Sequence, residues 1–142
     1  MEGIIFVGIQ GSGKSTFYKE KFFNSHVRIS NDLLKSRNRE KLFIEACINT
    51  SQKFVIDNTN PTTEDRKRYI ERLKETKYNV IGYYFESKIK ECLERNKQRT
   101  GKELIPEQGV LGTYNKLTIP NINEGFDKLY YVLITTKNVH KV

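Results

Sequence analysis

The residues of this chain best suited to chemistry form the stretch GIQGSGKST, residues 8–16, which follows the apolar run EGIIFV. The stretch matches the pattern G-x-x-x-x-G-K-[S/T] at every fixed position. Its glycines let the backbone wrap closely around an anion, so that successive N–H groups point at phosphate oxygens. An apolar strand before the pattern and a helix after it are the context in which such a loop binds phosphate. The sequence therefore predicts a cradle for a nucleoside triphosphate with Mg²⁺.

Each side chain of this cradle has an expected role. Lys14 is expected to reach the β- and γ-phosphates, and Ser15 to place its hydroxyl on Mg²⁺. Thr16 is expected near the α-phosphate, and the helix that begins near Lys14 adds the positive end of its dipole. The alternative is a chance match in a glycine-rich turn. The predicted nucleotide-binding residues are Gly11, Ser12, Gly13, Lys14, Ser15, Thr16 and Arg95.

A first carboxylate stands at the end of another apolar segment. Residues 54–57, FVID, resemble a Walker B strand with Asp57 at its carboxyl end, and ligands in open α/β sheets bind at that end. Asp57 would then hold a water of the Mg²⁺ shell. Equally, it would be a capping aspartate that orders the turn at residues 58–61, because short polar side chains in turns commonly bond their own backbone. The sequence leaves both interpretations open.

A second carboxylate, Asp32, closes the predicted strand VRIS and lies 18 residues after Lys14. In a doubly wound sheet we expect this strand end to lie beside the phosphate cradle and to face the γ-phosphate. A carboxylate there can accept a hydrogen bond from an attacking hydroxyl and take its proton. The alternative is the N-cap of a helix, a position that favours aspartate.

The third candidate is a basic segment, RNKQRTGKELIP, at residues 95–106. Four basic residues and no acidic one occur between 95 and 102, namely Arg95, Lys97, Arg99 and Lys102. Arg95 and Arg99 are four apart, which predicts that they share one helix face, and Gly101 is expected to cap that helix and hinge the loop. A guanidinium on a closing lid can stabilise the charge that develops during phosphoryl transfer. A solvated helix end, where cations favour the negative end of the dipole, is the alternative.

Strands and helices alternate along the chain in a way that would position these residues. Strands are predicted at 2–7, 26–29, 53–57, 78–85 and 129–135. Helices are predicted at 14–24, 39–50, 64–77, 87–99 and 107–117. The third helix opens with Thr62 and Asp65 in capping-box spacing, and the second carries Leu42, Phe43, Ala46 and Cys47 on one stripe.

This alternation predicts an α/β fold with a doubly wound, mainly parallel sheet, helices on both faces and right-handed crossovers. We expect one domain over residues 1–142. A small lid is expected at about 95–106, and a frayed tail at about 137–142.

The composition limits the classes of protein that the chain can represent. Its net charge of +8 favours a polyanionic partner, although a generically basic surface would have the same charge. No run of 18 apolar residues is present, and the N-terminal segment leads directly into the phosphate-binding pattern, so neither a membrane span nor a signal peptide is expected. Cys47 and Cys92 are expected to be reduced core thiols, in a cytoplasmic protein or a nuclear one if the source is eukaryotic or viral.

Together these motifs resemble a known family, the polynucleotide 5′-hydroxyl kinases, and especially the kinase half of the bifunctional kinase/3′-phosphatases. GIQGSGKSTF is similar to their P-loop, and ISNDLL to the segment whose aspartate activates the acceptor, which falls on Asp32. VIDNTNP is similar to their second-carboxylate segment, and RNKQR to the lid whose arginine falls on Arg99. The stretch IPEQGVLGTYNKLTIPNINEGF resembles their C-terminal helix and the segment that follows it. The resemblance extends over nearly the whole chain.

The resemblance implies a P-loop kinase fold and transfer of the γ-phosphate of ATP, or of another nucleoside triphosphate, to the 5′-OH end of DNA or RNA in nucleic-acid end repair. Lys14, Asp32 and Arg99 would be catalytic, and Ser15 with Asp57, through water, would bind Mg²⁺. The partner would be a single-stranded or end-exposed nucleic acid, met by basic residues after Asp32. The predicted acceptor-binding residues are Asp32, Lys35, Arg37, Arg39, Asn58 and Asn60.

The chain also departs from the family pattern. Gln10 stands where proline is common, and Asn31 where arginine is common, which leaves a substrate contact at that position without its usual residue. The D-x-D motif of the linked phosphatase and the K-x-D-G motif of nucleotidyltransferases do not occur, so any phosphatase or ligase that acts with this chain would be on another polypeptide. Three other functions remain open: a small-molecule or toxin-type P-loop kinase, an NTP-hydrolysing switch, and a nucleic-acid-binding module with a structural P-loop.

Overall fold

A computed structural model of the chain describes residues 1–101 and 104–134 with their side chains, and the backbone of residues 140–141. Over these residues, strands and helices alternate in the predicted order. Their bounds are β1 Glu2–Val7, α1 Lys14–Lys21, β2 Val27–Ile29, α2 Asn31–Leu34, α3 Arg37–Asn49, β3 Phe54–Ile56, α4 Thr63–Lys74, β4 Asn79–Phe85, α5 Ile89–Lys97, α6 Glu107–Lys116, a 3₁₀ helix Ile122–Glu124, β5 Lys128–Ile134 and β6 His140–Lys141.

The strands form one sheet in the order β2-β3-β1-β4-β5-β6, in which neighbours are parallel except for β5 and β6. In the middle, Ile4 of β1 pairs with Val55 of β3 on one side and with Ile81 of β4 on the other. A strand covered on both faces has no polar side to alternate with its apolar side, which is why the buried residues after Glu2, GIIFV, form an unbroken apolar run. The fold is therefore the predicted α/β fold with a mainly parallel sheet.

Apolar layers cover both faces of this sheet. On one face, α3 and α4 bury Ile44 and Leu73 against the strands. On the other face, α1 buries Phe17 against Phe6, with 6.0 Å between the ring centroids. Because the strands are parallel, the segments that follow β1, β2 and β3 leave the sheet at the same edge. All of the candidate residues before residue 61 belong to these segments.

The order of the strands corrects one expectation about Asp32. β3 is the neighbour of β1 on this side of the sheet, and β2 lies beyond β3. The strand end that precedes Asp32 is therefore one strand further from the phosphate-binding loop than predicted. The adjacent position belongs to Asp57, which follows β3.

The buried face of α3 also differs from the predicted stripe. Leu42 and Phe43 are 59% and 49% exposed, whereas Glu40, Ile44 and Cys47 are buried. Positions 40, 44 and 47 have helical spacing too, so the period alone does not select a face. Of the predicted stripe, Cys47 alone is buried, and Glu40 lies on the buried face because its carboxylate is bonded to Tyr69 and Asn58.

α5 ends earlier than the sequence predicts. Its last residue is Lys97 and its C-cap is Gln98. Arg99 therefore lies beyond the helix and does not share a face with Arg95, and Gly101 is not the helix cap. Gly101 has a φ of +60°, a conformation that glycine adopts without a steric penalty.

Other predictions concern the ends and the interior of the chain. Residues 140–141 of the predicted frayed tail pair with β5 as a short antiparallel strand, and the remaining tail residues lie outside the described ones, as does Lys102 of the predicted lid. Cys47 and Cys92 are buried free thiols, as expected. The part of the chain that the structure describes contains no helix with the length and apolar character needed to cross a membrane. The capping box of Thr62 and Asp65 is confirmed at the start of α4.

Candidate active site

The loop between β1 and α1, residues 8–13 and here called the phosphate loop, has a backbone that requires glycine. Gly11 and Gly13 have φ values of +78° and +93°, and Gly13 is the N-cap of α1, which begins at Lys14. At Gly11 a Cβ atom would lie 2.4 Å from the carbonyl oxygen of Cys92. No residue with a side chain fits there without moving α5. The loop therefore presents the N-terminus of α1, which favours anions.

Ser12 lies inside the phosphate loop with 1% of its surface exposed. Among the described residues, its hydroxyl has no hydrogen-bond partner. Buried hydroxyls in proteins generally have one. A loop at a helix N-terminus is suited to bind phosphate oxygens, so Ser12 fits a site in which a ligand phosphate is the partner.

Lys14 lies over the same loop. Its Nζ donates to the carbonyl oxygens of Gly8 and Ile9 at 2.8 and 2.9 Å. Burial lowers the pKa of Lys14 to about 8, against the opposing effect of the Asp57 carboxylate. The ammonium is therefore less favourable here than in water, and a bound anion would stabilise it.

The three predicted catalytic side chains share one electrostatic environment. The Asp32 carboxylate raises the pKa of Lys14, whereas the Arg99 guanidinium lowers it. Both groups thus act on the lysine charge, although 18 and 85 residues of chain separate them from it. Burial and Asp57 nevertheless affect the pKa of Lys14 more strongly than Arg99 or Asp32 does, and the catalytic roles of these two residues stay predictions.

Asp57, the carboxylate that follows strand β3, has only 2% of its side chain exposed. Its Oδ2 accepts hydrogen bonds from Ser15 Oγ at 3.2 Å and from Arg28 Nε at 2.7 Å. A hydroxyl and a carboxylate side by side are the oxygen ligands that Mg²⁺ prefers, so this pair fits the predicted ion. Asp57 therefore lies beside Ser15, and its role in holding a water of the Mg²⁺ shell stays a prediction.

Arg28 was not singled out from the sequence, yet it bonds to both predicted metal ligands. Its Nη2 donates to Ser15 Oγ at 3.2 Å, in addition to the bond from Nε to Asp57. The sequence offers one signal, since Arg28 is the charged residue within the strand VRI. A charged side chain in a three-residue strand next to a functional loop is a reason to look for a buried partner.

Asp32 lies on the four-residue helix α2, and its side chain is exposed. The N-cap of α2 is Ser30, whose Oγ accepts from the backbone N–H of Asp32 at 3.2 Å. Asp32 is therefore not the N-cap, which was the alternative role. The neighbouring backbone N–H of Asn31 donates to Asn58 Oδ1 at 2.8 Å and so ties α2 to the loop after β3.

Two of the predicted acceptor-binding residues, Arg37 and Asn58, belong to a polar cluster around the buried Glu40. Glu40 accepts from Tyr69 Oη at 2.5 Å, from Asn58 Nδ2 at 2.9 Å and from Arg37 Nη1 at 3.3 Å. Burial, together with Glu40, raises the pKa of Tyr69 to about 12, so its hydroxyl stays a donor. Asn58 thus bonds to a buried carboxylate, whereas Arg37 makes its bonds from a side chain that is 52% exposed. Both were predicted to bind the acceptor.

The loop after β3, residues 57–61 and here called the carboxylate loop, is braced against β1. Asn60, which is 3% exposed and has a φ of +44°, donates from Nδ2 to the carbonyl oxygen of Phe6 at 2.8 Å. Arg66 Nη1 donates to the carbonyl oxygen of Asn60 at 2.9 Å. The fully buried Arg66 in turn makes two bonds to Glu124, at 2.8 and 3.0 Å. Asn60 was predicted to bind the acceptor, but its side chain points to β1, so we do not propose it as an acceptor contact.

The predicted lid, residues 95–106, is anchored at both ends. At its start, Arg95 Nε donates to the carbonyl oxygen of Gly11. Asn96 makes two hydrogen bonds with the backbone of Ile105, from Nδ2 to the oxygen at 2.6 Å and from the N–H to Oδ1 at 3.1 Å. Sequence patterns did not indicate this pair. The lid therefore begins and ends at fixed points next to the phosphate loop, with Arg99 between them.

The remaining predicted acceptor residues are exposed. Lys35 is the C-cap of α2 with a φ of +68°, and Arg39 is in the first turn of α3, where its Nη1 donates to the carbonyl oxygen of Leu34 at 3.4 Å. Both lie within seven residues of Asp32. Together with Arg37, whose side chain is 52% exposed, they are basic side chains that solvent, and hence a nucleic acid, can reach directly.

Comparisons with known proteins point to kinases. No protein-family model matches the chain. The bifunctional polynucleotide phosphatase/kinase of Schizosaccharomyces pombe is 29% identical over 130 residues, which cover 88% of this chain and 32% of that protein. The putative bifunctional polynucleotide phosphatase/kinase of Acanthamoeba polyphaga mimivirus is 35% identical over 81 residues, which cover 56% of this chain and 19% of that protein. The chain thus spans no more than a third of the length of these relatives.

Solved structures have the same fold. A gluconokinase from Sinorhizobium meliloti 1021 superposes with a TM-score of 0.63 at 17% identity, over 95% of this chain and 83% of its own. Kti12 of Chaetomium thermophilum, in complex with ADP-AlF3, superposes with a TM-score of 0.65 at 15% identity, over 96% and 92%. Fold and site together define a P-loop kinase-like domain. In sequence, this domain resembles the polynucleotide kinases, as its motifs indicate.

Proposed function

We propose that this domain is a polynucleotide kinase, which transfers the γ-phosphate of ATP or another nucleoside triphosphate to the 5′-OH end of DNA or RNA. The observation that carries the proposal is the phosphate loop at the N-terminus of α1, with Lys14 bonded over it and Ser15 bonded to Asp57 beside it. Transfer to a hydroxyl requires a cation on the phosphates, a carboxylate for the hydroxyl and a second cation on the transferring group. The names of the two curated relatives support a polynucleotide as the acceptor, as does the net charge of +8.

On the donor side, the phosphate loop and Lys14 would neutralise the phosphates of the nucleotide. Arg95, which is bonded to the loop at Gly11, would lie beside it. Ser15 and, through water, Asp57 would hold Mg²⁺. The ion would supply charge neutralisation at the phosphate oxygens, and this chain's residues would supply the remaining interactions.

On the acceptor side, the Asp32 carboxylate would take the proton of the 5′-hydroxyl while the hydroxyl oxygen bonds to the γ-phosphorus. The bond between that phosphorus and the β–γ bridging oxygen breaks, and the nucleoside diphosphate leaves with the electron pair. Arg99 would stabilise the equatorial oxygens of the transferring group. Because this transition state is loose, positioning and electrostatics would supply most of the rate.

Label transfer from γ-labelled ATP tests the proposal. Single-stranded DNA and RNA oligonucleotides with 5′-OH ends should become labelled, and the same oligonucleotides with 5′-phosphate ends, as matched controls, should not. Asp32→Asn should lower kcat by about 10²- to 10⁴-fold, the usual contribution of a general base, and should leave nucleotide affinity unchanged. An Asp32→Asn protein that transfers label at the original rate would remove the role assigned to this carboxylate.

A second candidate is a kinase with a small-molecule acceptor. The observation that favours it is the likeness to the gluconokinase and to a sugar kinase from Janibacter sp. HTCC2649, which has a TM-score of 0.68 at 13% identity, over 92% of this chain and 85% of its own. At such identity the likeness concerns the fold. Nucleosides and sugar acids therefore belong in the acceptor panel. Label on a small molecule, with none on any oligonucleotide, would establish this candidate instead.

A further inference from the structure

Arg28 forms a closed triangle with the two residues that would hold Mg²⁺. Its Nε donates to Asp57 Oδ2 at 2.7 Å, and its Nη2 donates to Ser15 Oγ at 3.2 Å. Ser15 Oγ itself donates to Asp57 Oδ2 at 3.2 Å. Each of the three side chains is thus bonded to the other two, and one of them is a permanent cation.

The backbone fixes this arrangement. Arg28 pairs with Val55 in the parallel ladder of β2 and β3, and the N–H of Asp57 donates to the carbonyl oxygen of Ile29 at 2.8 Å. The side chains of Arg28 and Asp57 are 25% and 2% exposed. An ion pair between long, fully solvated side chains contributes little, but this pair joins a residue of β2 to the residue that follows β3, and the latter is almost completely buried.

The oxygens in the triangle have limited capacity for another cation. A serine hydroxyl has one proton and two lone pairs. The proton of Ser15 is used on Asp57 and one lone pair is used on Arg28, which leaves one. The single negative charge of Asp57 is already compensated by Arg28, so a divalent cation at Ser15 would meet a neutral pair and a nearby guanidinium, which repels it.

We propose that Arg28 is a positioning residue that opposes the divalent cation, so that the cation binds tightly only together with the triphosphate, which brings its own negative charge. Arg28 would hold Ser15 and Asp57 in place before the nucleotide arrives. With the cation removed, its positive charge would still favour the phosphates. The inference depends on the proposed nucleotide site, but not on the identity of the acceptor.

Direct binding of Mn²⁺, followed by electron paramagnetic resonance, tests this inference without any turnover. For the unaltered protein, Mn²⁺ affinity should be at least about tenfold higher with a non-hydrolysable ATP analogue than without it, after correction for Mn²⁺ bound to the free analogue. Tight Mn²⁺ binding in the absence of nucleotide would overturn the proposal by itself. This comparison needs no variant, so it can overturn the proposal even if a substitution at position 28 impairs folding.

Variants at position 28 then distinguish the effect of the positive charge of Arg28 from the effect of its shape. Arg28→Gln should bind Mn²⁺ about tenfold more tightly than the unaltered protein in the absence of nucleotide, and its affinity for a fluorescent ATP analogue in EDTA should fall severalfold. Arg28→Lys keeps the charge and should keep the weak Mn²⁺ binding. The matched control Arg68→Gln removes an exposed arginine of α4 and should change neither quantity. Unchanged or weaker Mn²⁺ binding by a folded Arg28→Gln protein, or equal tightening by Arg28→Lys, would overturn the proposal.

The same experiments are separable from the test of the proposed function. They use nucleotide and metal alone, with no acceptor. Failure to label any 5′-OH end would reject the polynucleotide kinase and leave the role of Arg28 intact. Conversely, normal label transfer with metal binding that is insensitive to Arg28 would reject this inference alone.

Discussion

The carboxylate loop and helix α2 both follow strands that end at the same edge of the sheet, but they are held in different ways. The carboxylate loop is braced by buried groups, with Asn60 bonded to β1 and the fully buried Arg66 bonded to Asn60. α2 buries none of its four residues and is tied to its surroundings through Asn31 and Asn58. The side of the site that would hold the donor is therefore set in advance, whereas the side that would hold the acceptor has more freedom to adjust.

The largest effect is expected at Lys14, on the rigid side. Lys14→Met removes the cation over the phosphate loop, and transfer should fall by about 10³-fold or more, because charge stabilisation is the main contribution in phosphoryl transfer. Nucleotide affinity should fall as well, which would distinguish this variant from Asp32→Asn. Lys19→Met, in the last turn of α1, is the matched control. Equal nucleotide affinity for Lys14→Met and the unaltered protein would show that the lysine does not contact the phosphates.

The next largest effect is expected on stability, at Arg66. Arg66→Met leaves the Glu124 carboxylate without its partner, and breaking a buried pair in this way costs about 3–5 kcal/mol in free energy of unfolding. Urea denaturation measures this change, with Arg68→Met as the control, since exposed pairs contribute about 0–1 kcal/mol. A small loss at Arg66 would mean that the carboxylate loop keeps its conformation without the brace, and the contrast between the two regions would weaken.

A smaller effect is expected from pH. The pKa of Lys14 is lowered to about 8, so in the free protein the ammonium loses its proton as the pH rises through this value. Bound phosphates favour the ammonium, and nucleotide affinity should therefore fall above pH 8, by at most about tenfold per pH unit. Isothermal titration calorimetry at pH 7 to 9.5 measures this trend. The Lys14→Met protein should lack it, and the same pH dependence in that variant would assign the trend to another group.

The lowered pKa of Lys14 also determines whether its contribution to the free energy of unfolding rises or falls with pH. The pKa of Lys14 is lower in the folded chain than the ordinary lysine value of 10.5, so between about pH 8 and 10.5 the unfolded chain binds more protons. In this window Lys14 makes the folded state more stable as the pH rises. Comparison of unfolding free energies for the unaltered protein and Lys14→Met across the window isolates this contribution.

The smallest effect is expected on the acceptor side. Arg39→Gln removes one exposed cation, and the slope of log K against log salt for binding of a single-stranded oligonucleotide should decrease by about 0.7. Lys35→Gln should act in the same way. Arg37→Gln should decrease the slope as well, because its side chain is 52% exposed, and should in addition lower stability, because its guanidinium is bonded to Glu40 and Tyr69. An oligonucleotide affinity that does not depend on salt would contradict the assignment of this surface.

The sequence was informative where function depends on local order. Three such features are the phosphate loop with the lysine that follows it, the apolar run of β1 and the capping box of α4. Each lies within a few residues, so its geometry follows from backbone and side-chain preferences. Asp57 at the end of a buried strand was similarly predictable. The parallel sheet followed from the alternation of strands and helices, although the order β2-β3-β1 did not.

The rest depended on contacts between distant segments. Arg28 meets Asp57 across 29 residues, and Arg66 meets Glu124 across 58. Neither pair has a spacing rule that a single sequence could reveal. The sequence is misleading at Glu40, because a charged residue in a helix is normally exposed. Glu40 is instead buried with Tyr69, and the buried face of α3 differs from the predicted stripe.

The pair of hydrogen bonds between Asn96 and Ile105 has a consequence for how the domain can change over evolution or by engineering. The eight residues between these two positions start and finish at anchored points. Lengthening a flexible connection costs little, about 0.6 kcal/mol for each doubling. Residues can therefore be added between the two anchors while Arg99 is kept, and domains with altered selectivity could be selected from libraries of such inserts on an unchanged scaffold.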